Sequence, residues 1–213
     1  MAKRTPEEEK ARFSSLLERE TELKNQGYNL IAGIDEAGRG PLAGAVYAAA
    51  VILPDDIFIE GLDDSKKLSE KKREALYAEI TEKAIAYSVA TATETEIDEI
   101  NILNATHLAM NRAVEGLNVK PDYCIIDGNS IKNMSLPHET MVKGDAKSAS
   151  IAAASILAKV SRDRYITELS QKYPEYGFDK HKGYGTKAHT EAILKYGVLP
   201  IHRKSFLKKL LGD

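Results

Sequence analysis

The residues best placed to do chemistry are four carboxylates. Asp35 and Glu36 follow an apolar run, Asp127 closes another, and Asp145 comes shortly after a third; each precedes a glycine or a turn. Strand ends are where a rigid scaffold hands side chains to a site. Carboxylates brought together there repel and raise one another's pKa, and a divalent cation removes that conflict. Oxygen donors of this kind suit Mg²⁺ or Mn²⁺. Two such ions about 3.5–4 Å apart can activate a water and stabilise the leaving oxygen in phosphodiester cleavage. Taken singly, each residue could equally be an ordinary turn aspartate; the four together beside one glycine–arginine turn favour the metal site.

The elements that must position these groups can be read from periodicity. Residues 6–26 carry Phe13, Leu16, Leu17 and Leu23 among many charges and predict an amphipathic helix ended by Gly27. Strands are expected over 29–35 and 46–53, joined as an antiparallel hairpin. Ser69 caps a helix whose buried face is marked by Leu76, Ile80 and Ile85. A strand over 86–93 follows, then a long helix to Gly116 with Ile97, Ile100, Leu103, Leu108 and Val114 as its apolar positions. Strands over 122–127 and 139–142 precede a helix from Ala146 to about Leu169. That helix is rich in Ala and Ser and so able to lie close on a sheet. Two short helices finish the chain. The pattern predicts an α/β fold, a mixed sheet covered by helices. One difficulty is local. Neighbouring strand residues face opposite ways, so Asp35 and Glu36 can share a site only if the strand ends or bulges at Glu36.

Composition narrows the function classes. The 213 residues carry a formal net charge of −2, so a nucleic-acid partner needs a local basic surface. The stretch from Lys180 onward, with Lys182, Lys187, Lys195, Arg203, Lys204, Lys208 and Lys209, offers one. Ser65, Lys66, Lys143 and Lys147 are further candidate phosphate contacts. The single cysteine, Cys124, excludes an intramolecular disulfide and sits in an apolar run as buried filler. The charged start of the chain lacks an apolar signal core, and no apolar run is long enough to span a bilayer. A cytoplasmic monomer is expected. His181, His189 and His202 lack zinc spacing and read as phosphate-side or structural residues. Nothing stands out as a Ser–His–acid set.

The turn Gly38-Arg39-Gly40-Pro41-Leu42-Ala43 also matches a dinucleotide-binding pattern. That reading requires a helix to follow, whose N-terminus meets a pyrophosphate. The residues after Ala45 favour a strand instead, and the acidic pair before the turn repels phosphate.

These residues carry a resemblance. The run from Gly33 to Gly44, Gly33-Ile34-Asp35-Glu36-Ala37-Gly38-Arg39-Gly40-Pro41-Leu42-Ala43-Gly44, resembles the first signature of ribonuclease HII, the type 2 ribonuclease H family. Asp64-Ser65-Lys66-Lys67-Leu68, Asp127-Gly128, Lys143-Gly144-Asp145-Ala146-Lys147 and His181-Lys182-Gly183-Tyr184-Gly185-Thr186 resemble the later ones, in order. The acidic positions show no departure; the segment before Tyr28 has no clear counterpart in the family core.

The resemblance implies a ribonuclease H-like mixed sheet flanked by helices, with a small C-terminal helical part. It divides the chain into an N-terminal helical extension (1–27), a catalytic core (28–172) and a C-terminal loop with helices that help bind substrate (173–213). It implies cleavage of the RNA strand of RNA–DNA hybrids, and 5′ of ribonucleotides embedded in duplex DNA, leaving 3′-hydroxyl and 5′-phosphate ends. Asp35, Glu36, Asp127 and Asp145 take the catalytic metal-binding positions. Gly38, Arg39 and Gly40 would read the ribose through their backbone, and Tyr184 would stack on a sugar. On spacing alone Tyr184 could as well be a core aromatic anchoring its loop. A hybrid-binding module without catalysis is the remaining alternative, and the full set of carboxylates argues against it.

Overall fold

The computed structural model describes residues 4–212. Five strands form one sheet: β1 (Ile31–Ala37), β2 (Val46–Ile52), β3 (Ala86–Ala92), β4 (Tyr123–Asp127) and β5 (His138–Met141), in the order β3-β2-β1-β4-β5. The first three are antiparallel neighbours, while β4 and β5 run parallel to β1. The expected hairpin is present, although eight residues join β1 to β2 rather than a tight turn.

Helices cover both faces. On one lies α5 (Ala149–Lys172) with α3 (Glu70–Lys83); on the other lies α4 (Glu94–Glu115). Two further helices, α1 (Pro6–Leu16) and α2 (Glu18–Asn25), replace the single expected N-terminal helix and break at Leu17. Three short ones, α6 (Phe178–His181), α7 (Lys187–Tyr196) and α8 (Lys204–Leu211), complete the chain. Among the described residues, no helix is long and apolar enough to cross a membrane.

The small residues of α5 do what their size allows. Ala149, Ala152 and Ala153 are fully buried against the sheet. At Gly33 the helix backbone approaches so closely that a Cβ would overlap Ser150. This contact fixes the height at which β1 presents Asp35, two residues on.

Three details depart from the periodicity. Ile85 lies outside α3 and is 41 % exposed, so Leu76 and Ile80 alone mark that helix's buried face. In α4, Asn101 has φ 66°, a break that resets the buried stripe. Ile97 and Val114 are buried, but Ile100 and Leu103 on either side of the break are exposed. Third, β1 neither ends nor bulges at Glu36. It pairs regularly with β2 through Glu36↔Ala48 and Ala37↔Tyr47.

Candidate active site

The regular strand changes how the acidic pair must work. Pairing of β1 with β4 stops at Ile34↔Ile126. Continued by one residue, that register sets Asp127 beside Asp35. Beyond it β4 has ended and β1 has an open edge, so side chains from its two faces can act on one region. The carboxylates influence one another. Burial, and then the charges of Glu36 and Asp127, hold the Asp35 carboxyl well above the usual range, with Asp145 adding to the rise. Glu36 is raised chiefly by burial; Arg39, 3.5 Å away, opposes this, and Asp127 adds to it.

Asp127 is fixed by the Gly144 N–H, which donates to its Oδ1 at 2.6 Å. The same loop carries Asp145, which is 6 % exposed. Burial raises the Asp145 carboxyl, and Asp64 and Asp127 raise it further. Asp64 is therefore a fifth carboxylate at this mouth, one that sequence reasoning did not single out. Its position before a short turn marks it only as a cap, and its side chain does accept the Lys66 N–H.

The donor chemistry fits a divalent cation: burial, and then neighbouring carboxylates, raise Asp35 and Asp145, burial chiefly raises Glu36, and a bound cation would offset that penalty. Among the described residues, no three His, Cys, Asp or Glu side chains close into a ligand cage. The site is a shared field rather than a preformed cage.

The glycine turn sits beside it. Gly38 has φ +94°, and a Cβ there would overlap the Arg162 side chain beneath. A Cβ on Gly40 would meet the Tyr184 ring at 3.4 Å. The structure thus brings Tyr184, which is 47 % exposed, against the turn rather than into the core. The residues after the turn enter β2, which removes the helix that a dinucleotide site needs.

The tyrosine loop is held by three buried histidines. His189 Nδ1 donates to the Tyr184 carbonyl at 3.0 Å, so its Nε2 accepts from His202 Nε2 at 3.1 Å. His202 Nδ1 in turn accepts the Leu199 N–H at 2.9 Å. His181 stacks on His189 and accepts the Gly183 N–H. These residues are structural; none is arranged as a phosphate contact.

The candidate phosphate contacts divide. Burial alone would lower the Lys66 pKa, but Asp35, Asp145, Asp64 and Asp127 together outweigh this and raise it, placing its charge at the acidic mouth. Lys143, in a left-handed conformation, begins the turn that carries Asp145, and Lys147 is exposed just after it. Ser65 is buried, with its hydroxyl bonded to Ser155 of α5 at 2.7 Å, so a phosphate could reach it only if that pair opened. Arg203 leaves the basic surface altogether. It is 0 % exposed and faces the interior. Cys124 is buried as expected, and burial pushes its thiol up to about 12.

Comparison with known proteins identifies the family. The family model for Ribonuclease HII matches residues 32–209. Ribonuclease HII of Caldicellulosiruptor saccharolyticus is 59 % identical over 194 residues, covering 91 % of this chain and 95 % of that protein. Among solved structures, ribonuclease H2 from Pyrococcus horikoshii OT3 superposes with a TM-score of 0.71 at 30 % identity, over 85 % of this chain and 97 % of that one. Bst-RNase HIII in complex with Mn²⁺ shares the fold at a TM-score of 0.59 and 18 % identity, over 78 % of this chain and 61 % of that one. From a family model matched over residues 32–209 and a 59 % identical relative that covers 91 % of the chain, this chain belongs to the ribonuclease HII family.

Proposed function

We propose that this ribonuclease HII, a metal-dependent endoribonuclease, hydrolyses the RNA strand of RNA–DNA hybrids and cuts 5′ of ribonucleotides embedded in duplex DNA. The observation that carries the reading is the meeting of two unlike sites: a field of carboxylates, and a glycine turn with an exposed tyrosine against it. The first suits phosphodiester hydrolysis and the second suits inspection of a sugar.

Asp35, Glu36, Asp127 and Asp145 would hold Mg²⁺ or Mn²⁺. When bound, these ions supply the positive charge that activates water and steadies the leaving oxygen. The chain's own groups do the rest. Gly144 orients Asp127 through its N–H. The backbone of Gly38, Arg39 and Gly40 can approach a ribose because glycine has no Cβ, and a 2′-hydroxyl both donates and accepts. The Tyr184 ring would stack on the neighbouring sugar. Lys66, Lys143 and Lys147 would steady the phosphate backbone, with Ser65 shaping the loop that carries Lys66. In this reading residues 173–213 form a substrate-binding appendage to the core at 28–172, behind the extension at 1–27. The protein acts as a cytoplasmic monomer.

The test is a DNA duplex with one embedded ribonucleotide, incubated with and without Mg²⁺ or Mn²⁺ and mapped for the cut. Cleavage 5′ of the ribonucleotide, leaving a 3′-hydroxyl, is expected. Absence of cleavage with both ions refutes the reading. Asp35→Asn and Asp127→Asn should each lower turnover on the order of 10²-fold or more while leaving duplex binding in place.

A further inference from the structure

Two buried arginines lie beneath the glycine turn. Arg203 directs its whole guanidinium at backbone carbonyls. Its Nη1 donates to Arg39 O at 2.8 Å, its Nη2 to Gly38 O at 2.5 Å and Gly44 O at 2.7 Å, and its Nε to Gly44 O at 2.9 Å. Arg162 supports the same loop from α5, reaching Ala43 O at 3.3 Å and Lys182 O at 3.1 Å. The segment 42–44 is also sewn to the C-terminal part by its backbone. Leu42 N–H donates to Gly183 O, Gly44 N–H to Ile201 O, and Arg203 N–H to Leu42 O.

Among the described residues, neither guanidinium has a carboxylate partner. A buried charge is ordinarily paired; here the Phe206 ring lies 5.2 Å from the Arg203 guanidinium and every hydrogen bond of the two arginines goes to a carbonyl, so the carbonyls' orientation is what they secure. Burial, and then the like charge of Arg162, pulls Arg203 down to about 10, which leaves it charged at neutral pH.

We propose that Arg203 is a positioning residue that presets the glycine turn for reading a ribose. The geometry follows from the planar trans peptide, in which N–H and C=O point in opposite directions. With the carbonyls of Gly38 and Arg39 drawn inward, the N–H groups of Arg39 and Gly40 point outward. Among the described residues, neither N–H donates to a backbone or side-chain acceptor. Gly40 also lies against the Tyr184 ring. Two free donors on a clamped turn, next to an exposed aromatic ring, form a ready surface for a 2′-hydroxyl. Lysine cannot replace this arginine, because one ammonium lacks the planar fork that spans three carbonyls. The proposal rests on the ribose-reading role given to the turn above.

The experiment measures binding in the Asp127→Asn protein, which does not turn over. Affinity is compared between a DNA duplex with one ribonucleotide and the same duplex without it. Arg203→Lys should reduce the preference for the ribonucleotide roughly five- to tenfold, the worth of one or two net hydrogen bonds, with affinity for plain DNA unchanged. Met110→Ala, which opens a cavity in a buried cluster that contains no residue of the turn, serves as the stability control and should keep the preference. An unchanged preference in Arg203→Lys overturns the proposal alone. Absence of any preference in the Asp127→Asn protein overturns the ribose reading and the proposal with it. A second measurement needs no change at Arg203. The ¹⁵N order parameters of Arg39 and Gly40 in the free protein should match rigid backbone, about 0.85, and values below about 0.6 refute a preset turn.

Discussion

Gly38 carries two constraints at once. Its φ of +94° lies where a side chain is strained, and the Arg162 stem occupies the space where a Cβ would go. Gly38→Ala should therefore destabilise the protein by more than about 1 kcal/mol and lower turnover further than that loss explains, since the turn itself must shift. Chemical denaturation together with kcat on a single-ribonucleotide duplex checks this; a variant with wild-type values on both counts would refute the constraint. The glycine was legible in the sequence, because a turn signal after a β run demands one. Arg203 was not. In the sequence it is one cation among several near the C-terminus, and nothing local distinguishes an arginine facing water from one facing three carbonyls. His189 and His202 are similar: thirteen residues apart, they show their bond to one another only when the chain folds back.

At the scale of elements, the N-terminal helices have a task their sequence did not disclose. Glu20 of α2 is buried and accepts from Ser148 Oγ at 2.7 Å and from Ser150 N–H at 3.0 Å, at the start of α5. A carboxylate there satisfies backbone donors that a helix start leaves open and opposes the helix dipole favourably. Because α5 begins directly after the Asp145 turn and backs β1 at Gly33, this cap steadies one wall of the acidic mouth. Glu20→Ala leaves a buried N–H unpaired and should cost about 1–3 kcal/mol. A lower urea midpoint with unchanged slope would show it, and an unchanged midpoint would rule the cap out. The long α4 was readable in kind but not in face. Its period is helical on both sides of Asn101, yet the left-handed residue rotates one half relative to the other. Glu36 is the reverse case. The pleat rule led to an expected bulge; β1 instead pairs regularly with β2 through Ala37, which counts against both side chains reaching one ion from the same face.

For the whole molecule, the C-terminal part is knit together by buried histidines: His189 and His202 bond to each other, to the Tyr184 carbonyl and to the Leu199 N–H, all within it. Burial pulls His189 and His202 down to about 4, while the unfolded chain titrates near pH 6.5. Between those values the unfolded state binds more protons than the folded one, so stability falls as pH drops from 6.5 towards 4 and is insensitive to these groups above that window. Thermal melts at pH 7 and pH 5 should differ by at least roughly 2–4 °C, the equivalent of about 1 kcal/mol for a chain of this size. His202→Gln should shrink the difference; a variant with the full pH dependence would refute the assignment.

The sequence by itself determined the fold class, the order of strands and helices, the carboxylates and the turn beside them. Those features are written in local periods and in residue types that few backbones tolerate. Only the tertiary structure decided that β1 stays regular through Glu36, that Asp64 lies near Asp145, that Arg203 holds the glycine turn from beneath, and that the histidines hold the Tyr184 loop. Each of these depends on residues far apart in the chain, and burial and hydrogen-bond partners across such distances are set by packing rather than by neighbours in sequence.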